Sequence, residues 1–256
     1  MTLLSASGVS KTFEGVRALD DMSIEIEEGE RVGLIGPNGA GKTTFFNCIL
    51  GSLRPDSGLI NFAGKEINSL PIYRRARLGL GRTFQRIELF SGMTVRDHLF
   101  VAERTCNGKG SLLKDLLWQG RPTKEEMKAC EGVLDLLGLT ELADEPIESL
   151  SLGKGRLVEV ARALMTKPRL LLLDEPSSGL DRSETATLAA VLRDVQQDRG
   201  FAILLVEHDV ELVMSFTQRC YVMDLGSPII SGNTKNVMES PEVRRAYLGE
   251  TGGLVS

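Results

Sequence analysis

Gly36, Gly39 and Gly41, followed at once by Lys42, Thr43 and Thr44, have the types and spacing of a segment that holds a phosphorylated ligand. Glycines let the backbone curl until successive N–H groups converge on one anion, and a helix starting there turns its positive end to the same place. In this cradle, which Asn38 shares, Lys42 is spaced to reach the β- and γ-phosphates and the Thr43 hydroxyl is placed to hold Mg²⁺. A loop that merely turns strand into helix does not require that spacing, so nucleotide binding is the stronger reading.

Carboxylates and a histidine stand where such a ligand would need them. Leu170-Leu-Leu-Leu173 is a short apolar run of the kind a buried parallel strand needs, and it ends in Asp174-Glu175. Ligands of open α/β sheets bind beyond the carboxyl ends of the strands. There Asp174 is positioned to hold the hydration shell of Mg²⁺, and Glu175 to orient and polarise an attacking water. A second run, Ala202 to Val206, delivers Glu207-His208-Asp209 to the same edge, where His208 would sense the γ-phosphate.

The elements that must position these groups are legible in patches. Met22-Ser-Ile24-Glu-Ile26-Glu alternates as a half-buried strand does, with Gly29 turning it onward, and Gly58 to Phe62 supplies another short strand. Together they predict an antiparallel β layer beside the nucleotide core. Phe13 is placed in the loop before that layer, either as a core aromatic or as an adenine-stacking platform. Thr43 to Leu50 reads as a helix ended by Gly51. Gln85 follows a short apolar-to-polar transition, as at a strand end. From about residue 87 to 165 the pattern is helical: Thr123 and Glu126 form a capping box, and Met127, Cys130, Leu134 and Leu137 recur at helical spacing. Leu112 to Trp118 is an apolar patch of unassigned structure. Ser178 to Asp181 turns into a helix with Leu188, Val191, Leu192 and Val195 on one face. Tyr221 to Gly226 is a strand and turn, followed by a polar region.

The chain of 256 residues can form one substantial core, or two unequal lobes sharing one, and is too short for a transporter plus its motor. Its 30 basic and 35 acidic residues leave a net charge of −5 with no basic run, which argues against a nucleic-acid footprint. No apolar stretch approaches bilayer-spanning length and the amino terminus lacks the order of a signal peptide, so a cytoplasmic location is expected. Cys48, Cys106, Cys130 and Cys220 lack metal-ligand spacing and suit a reducing compartment.

In their order along the chain, these motifs resemble those of the ATP-binding subunits of ABC transporters. The resemblance spans the cradle at Gly36 to Thr44, a Q-loop at Gln85, a signature region at Leu150-Ser151-Leu152-Gly153-Lys154, the strand ending Asp174-Glu175, a D-loop at Ser178 to Asp181 and the switch histidine His208. It implies an α/β fold: a P-loop NTPase core of mostly parallel sheet with an antiparallel β layer and a helical subdomain at about 87–165, all within a single ATP-binding domain over 1–256. ATP and Mg²⁺ are the implied ligands, with Gln85 joining Thr43 and Asp174 at the metal and joining Glu175 and His208 in hydrolysis. Two such chains, identical or related, would meet head to tail, so that each ATP lies between one cradle and the partner's Ser151 and Gly153. Transmembrane permease subunits and a solute-binding receptor are the further implied partners, with this chain peripheral on the inner face of the cell membrane.

Within the family, Arg82 to Val95, Val206-Glu-His-Asp209 and the Tyr247-Leu-Gly tail are most similar to the branched-chain amino-acid importers. Lipopolysaccharide-export ATPases and urea importers have similar subunits. Soluble ABC ATPases of ribosomes or DNA usually carry two ATP domains or a long coiled-coil insertion, which this chain lacks, and a scaffold without turnover would not need Glu175 and His208. Three departures stand out. Phe13 replaces the frequent tyrosine, Leu152 the first of the usual two signature glycines, and Lys154 the usual glutamine. The regulatory carboxy-terminal domain of some sugar importers has no room here.

Overall fold

The computed structural model describes residues 1–83, 90–107 and 122–243. Gln85, Trp118 with most of the 107–122 segment, and the Tyr247 tail lie outside the described residues.

Two sheets face one another across a single helix. The first is antiparallel, in the order β2-β1-β4-β5, from β1 (Thr2–Phe13), β2 (Val16–Glu27), β4 (Ser57–Phe62) and β5 (Lys65–Glu66). Its burial follows the alternation seen in sequence: Met22, Ile24 and Ile26 are buried, while Ser23 and Glu25 face out. The second contains β3 (Arg31–Ile35), β6 (Leu80–Arg82), β7 (Leu170–Asp174), β8 (Ala202–Glu207), β9 (Arg219–Asp224) and β10 (Ser227–Asn233). Its order is β10-β9-β3-β8-β7-β6, with every neighbour parallel except β10 on β9. The expected antiparallel layer and mostly parallel core are therefore both present.

Period-two alternation divides the interior strands between two cores. Leu170, Leu172, Leu204, Val206, Val32 and Leu34 pack toward the antiparallel sheet and α1 (Lys42–Leu50). Leu171, Leu173, Ile203 and Leu205 pack on the other face. Helices cover that face: α3 (Val95–Asn107), α4 (Lys124–Leu136), α5 (Leu152–Met165) and α6 (Arg182–Arg199), the last presenting Leu188, Leu192 and Val195. The capping box of α4 forms as read, with Thr123 accepting from Glu126 N–H and Glu126 accepting in return. Three further short helices, α2 (Ile72–Arg77), α7 (Val210–Phe216) and α8 (Thr234–Met238), and two 3-10 turns, Thr140–Leu142 and Ile147–Ser149, complete the described elements.

The structure corrects one sequence expectation and gives a fold to one polar region. Phe13 is the last residue of β1 and so belongs to the layer rather than to a loop before it. The polar region after Gly226 is the edge strand β10 followed by α8.

Helix α1 is enclosed, with Phe45, Phe46, Cys48 and Ile49 fully buried between the sheets. Its carboxyl end would leave orphan carbonyls in that interior. Arg75 of α2, 1% exposed, answers them: Nη1 donates to the carbonyls of Cys48 (2.8 Å) and Ile49 (2.7 Å), Nε to Leu70 (2.9 Å) and Nη2 to Asn68 (3.2 Å). Burial lowers its affinity for a proton without neutralising it. Arg75→Met keeps the bulk but strands several buried acceptors, so unfolding in urea is expected to show a loss of about 2–4 kcal/mol. A loss below about 0.5 kcal/mol would mean that these bonds do not hold α1.

Candidate active site

The cradle is fixed by close backbone approach. A Cβ on Gly36 would lie 2.2 Å from the carbonyl oxygen of Met223, and one on Gly41 would lie 2.5 Å from that of Ala18. Gly41 also takes φ = 99° as the N-cap of α1, a conformation that suits glycine alone, and it offers no side chain to cap the helix. The first N–H groups of α1 thus point out of the fold without a side-chain acceptor, an arrangement that suits an anion. The turn after β9 braces the loop, Gly226 N–H donating to Ala40 C=O at 2.9 Å and Gly226 C=O accepting from Asp20 N–H at 2.8 Å.

Lys42 is 6% exposed and folds back, its Nζ donating to the carbonyls of Gly36 (2.7 Å) and Pro37 (3.0 Å). Burial lowers its pKa, against the opposing charges of Glu175, Asp174 and Glu207. Those three acids therefore share one neighbourhood with the cradle lysine. Asn38, Gly39 and Thr43 are exposed and Thr44 is half-buried, so the outer lip of the loop is open.

The parallel register of β7 on β8 sets Asp174 opposite Val206 and delivers both acidic ends to the same edge. Asp174 is buried, and its carboxyl is pushed above the usual aspartate range by that burial, then by the neighbouring charge of Glu175. Glu175 has φ = 46°, unusual for a residue with a side chain, and its N–H donates to Val206 C=O at 2.9 Å. The carboxylate is thereby turned out of the strand line toward His208, whose Nδ1 lies 3.8 Å from Glu175 Oε1. His208 is half exposed, at 55% of its side chain.

Sequence reading left Glu207 without a role. The structure buries it completely and gives its Oε1 the Ser177 N–H (3.0 Å) and hydroxyl (2.6 Å), while Oε2 accepts from His208 N–H (3.2 Å). Glu207 thus ties the segment after Glu175 to the one carrying His208. Its only sequence signal was its place at the end of the same apolar run.

Phe13 is 42% exposed, which rules out the core-aromatic reading, and Lys11 Nζ stands 5.5 Å from its ring centre while pairing with Asp56. Ser151 is the exposed N-cap of α5 and accepts from Lys154 N–H at 3.4 Å. A Cβ on Gly153 would come within 3.0 Å of Glu184 Oε1. Ser151 and Gly153 therefore both lie at the start of α5.

The ABC transporter family model matches residues 19–178. The chain belongs to the ABC transporter family. It is 39% identical, over 97% of its length and 98% of the relative's, to the high-affinity branched-chain amino acid transport ATP-binding protein BraF of Pseudomonas aeruginosa. The same figures hold for LivG of Escherichia coli, which carries the same description. Among solved structures, the ADP conformation of MJ1267, an ATP-binding cassette of an ABC transporter, superposes with a TM-score of 0.87 at 32% identity, covering 98% of this chain and 100% of that one. The cbiO1 subunit from Clostridium perfringens, part of an ABC transporter complex, gives 0.82 at 29% identity over 97% and 96%. As a member of this family, the chain binds nucleotide and is an ATPase. Among the described residues no helix is long and apolar enough to cross a membrane.

The raised pKa of Asp174 has a testable sign. A carboxyl whose folded pKa exceeds its unfolded value adds stability at low pH and withdraws it as pH rises through the folded pKa. Asp174→Asn removes that withdrawal. The nucleotide-free variant is expected to unfold at a higher temperature than the parent at about pH 8, with the gap closing toward about pH 5. A thermal midpoint lower than the parent's at both pH values would show that the Asp174 charge is not disfavoured in the free site.

Proposed function

We propose that this chain is the ATP-hydrolysing subunit of an importer for branched-chain or related amino acids. Full-length likeness to BraF and LivG, at 39% identity with no large unmatched segment on either side, supports that subgroup. The chain then works as a single ABC ATP-binding domain with a helical subdomain at about 87–165. It sits on the cytoplasmic face of the membrane through permease subunits, in company with a second ATP-binding subunit, the same chain or a relative, and a solute-binding receptor.

The observation that carries the chemistry is the gathering of Lys42, Asp174, Glu175 and Glu207 around the open start of α1. A polyphosphate brought here meets helix N–H groups and Lys42, yet it also meets Asp174 and Glu175. Anions on both sides call for a cation between them, and this donor set of a hydroxyl and a carboxylate suits Mg²⁺. Thr43, Asp174 and Gln85 would hold it; bound there, Mg²⁺ neutralises phosphate charge as a Lewis acid. Gly36, Asn38, Gly39, Gly41, Lys42 and Thr44 seat the phosphates, and Phe13 offers its exposed ring to the adenine. Glu175 orients and polarises the water, helped by the fixed turn of its backbone. His208, tethered through its N–H to Glu207, faces the reacting phosphate. Ser151 and Gly153 reach the ATP held by the partner chain.

Glu175→Gln keeps shape and loses the base. Purified, it is expected to bind ATP with unchanged affinity and hydrolyse it on the order of 10²- to 10⁴-fold more slowly. In a strain deleted for this gene, the parent restores leucine uptake and Glu175→Gln does not. Hydrolysis at the parental rate would remove Glu175 from its role. Leucine uptake unaffected by the deletion, with a defect in outer-membrane assembly, would favour an export ATPase instead.

A further inference from the structure

Leu152 stands inside the signature region, and its surroundings give its side chain a purpose. It is the first residue of α5 and is 42% exposed, so the fold does not need it as core. Its side chain is nonetheless seated: a Cβ added to Gly179 would lie 2.9 Å from Leu152 Cδ2 and meet nothing else within 4 Å. Gly179 has φ = 82° and lies in the turn between β7 and α6. The leucine therefore rests on a bare stretch of backbone that only a glycine leaves open.

Other contacts join the start of α5 to this turn and to the start of α6 within one chain. Arg156, one helical turn further on and 6% exposed, donates from Nη2 to Ser178 C=O at 3.1 Å. Gly153 lies against Glu184, whose carboxylate closes the capping box of α6 with Asp181. The turn is in turn bonded to the reacting end of β7, Ser178 N–H donating to Glu175 C=O at 3.1 Å. An unbroken path of contact runs from Leu152 through Gly179 and Ser178 to the backbone of Glu175, at the residue whose φ is already forced positive.

We propose that Leu152 is a positioning residue for ATP hydrolysis: seated on Gly179, it makes the 178–181 turn, and with it Glu175, follow the start of α5. Glycine at 152 would remove this contact while leaving the Arg156 hydrogen bond to Ser178 in place. Because Ser151 at the head of the same helix answers to the partner's ATP, the orientation of Glu175 in one site becomes linked to ligand in the other. This rests on the assignment of Glu175 above, and the comparison of variants separates the two.

The test is steady-state ATP hydrolysis by the complete chain, in the presence of its partner subunits, for Leu152→Ala, Leu152→Met, Gly179→Ala and the double variant Leu152→Ala with Gly179→Ala. Leu152→Ala is expected to lower kcat about tenfold with KM for ATP changed by less than about twofold, the pattern of a group that acts after binding. Its thermal midpoint should match the parent's, and Leu152→Met, which refills the space, should recover most of kcat. Gly179→Ala loses activity from both backbone strain and collision with Leu152, whereas the double variant relieves the collision, so it should retain several-fold more activity than the product of the single effects. Parental kcat in Leu152→Ala, or multiplicative single effects in the double variant, would overturn the proposal while leaving Glu175 in place. Loss of ATP binding in Leu152→Ala would also overturn it, since the contact is with the turn and not with nucleotide.

Discussion

The whole arrangement depends on one awkward requirement: the first N–H groups of α1 must be left without a protein acceptor while the helix that carries them is buried between two sheets. Buried backbone donors are ordinarily satisfied, so leaving several open is tolerable only at an edge where a ligand or water can answer them. The fold meets this by fixing the helix at both ends. Met223 and Ala18 press on Gly36 and Gly41 at one end, and Arg75 satisfies the carbonyls at the other. Nothing is left for α1 to do but present its donors.

Negative charge is gathered opposite those donors at a cost to the ligand-free fold. Burial pushes Asp174 up, Glu175 adds to the shift, and the charges of both acids oppose the desolvation of Lys42. Such clustering is typical of sites whose charges are balanced only when a ligand is present. Glu207 differs, since three donors from Ser177 and His208 satisfy it within the protein. It serves as the fixed point about which Glu175 and His208 are set.

How much of this could be read from residues depended on whether neighbours in space were also patterned along the chain. The cradle, the apolar runs of β7 and β8 and the capping box of α4 are local, and the structure shows each as read. Arg75 was invisible because its acceptors are backbone carbonyls, two of them more than 25 residues away. Strand β10 lies at a sheet edge with most of its residues exposed or half-buried, so its sequence lacks the alternation that marked β2. Phe13 reads as loop in the sequence because the last two residues of β1, Thr12 and Phe13, are both exposed. The meaning of Leu152 was out of reach for a related reason: its partner is a glycine with no side chain to suggest a contact.

If the open donors of α1 exist to receive phosphate, the cation beside them should be indispensable to binding while contributing little to the fold. Equilibrium ATP affinity of Lys42→Ala, set beside its urea unfolding curve, tests this most directly. The account predicts that tight ATP binding is lost in a variant that still unfolds cooperatively, because the charge-assisted contact to phosphate has been removed. Unchanged ATP affinity in the folded variant would contradict it and would require the nucleotide to bind elsewhere.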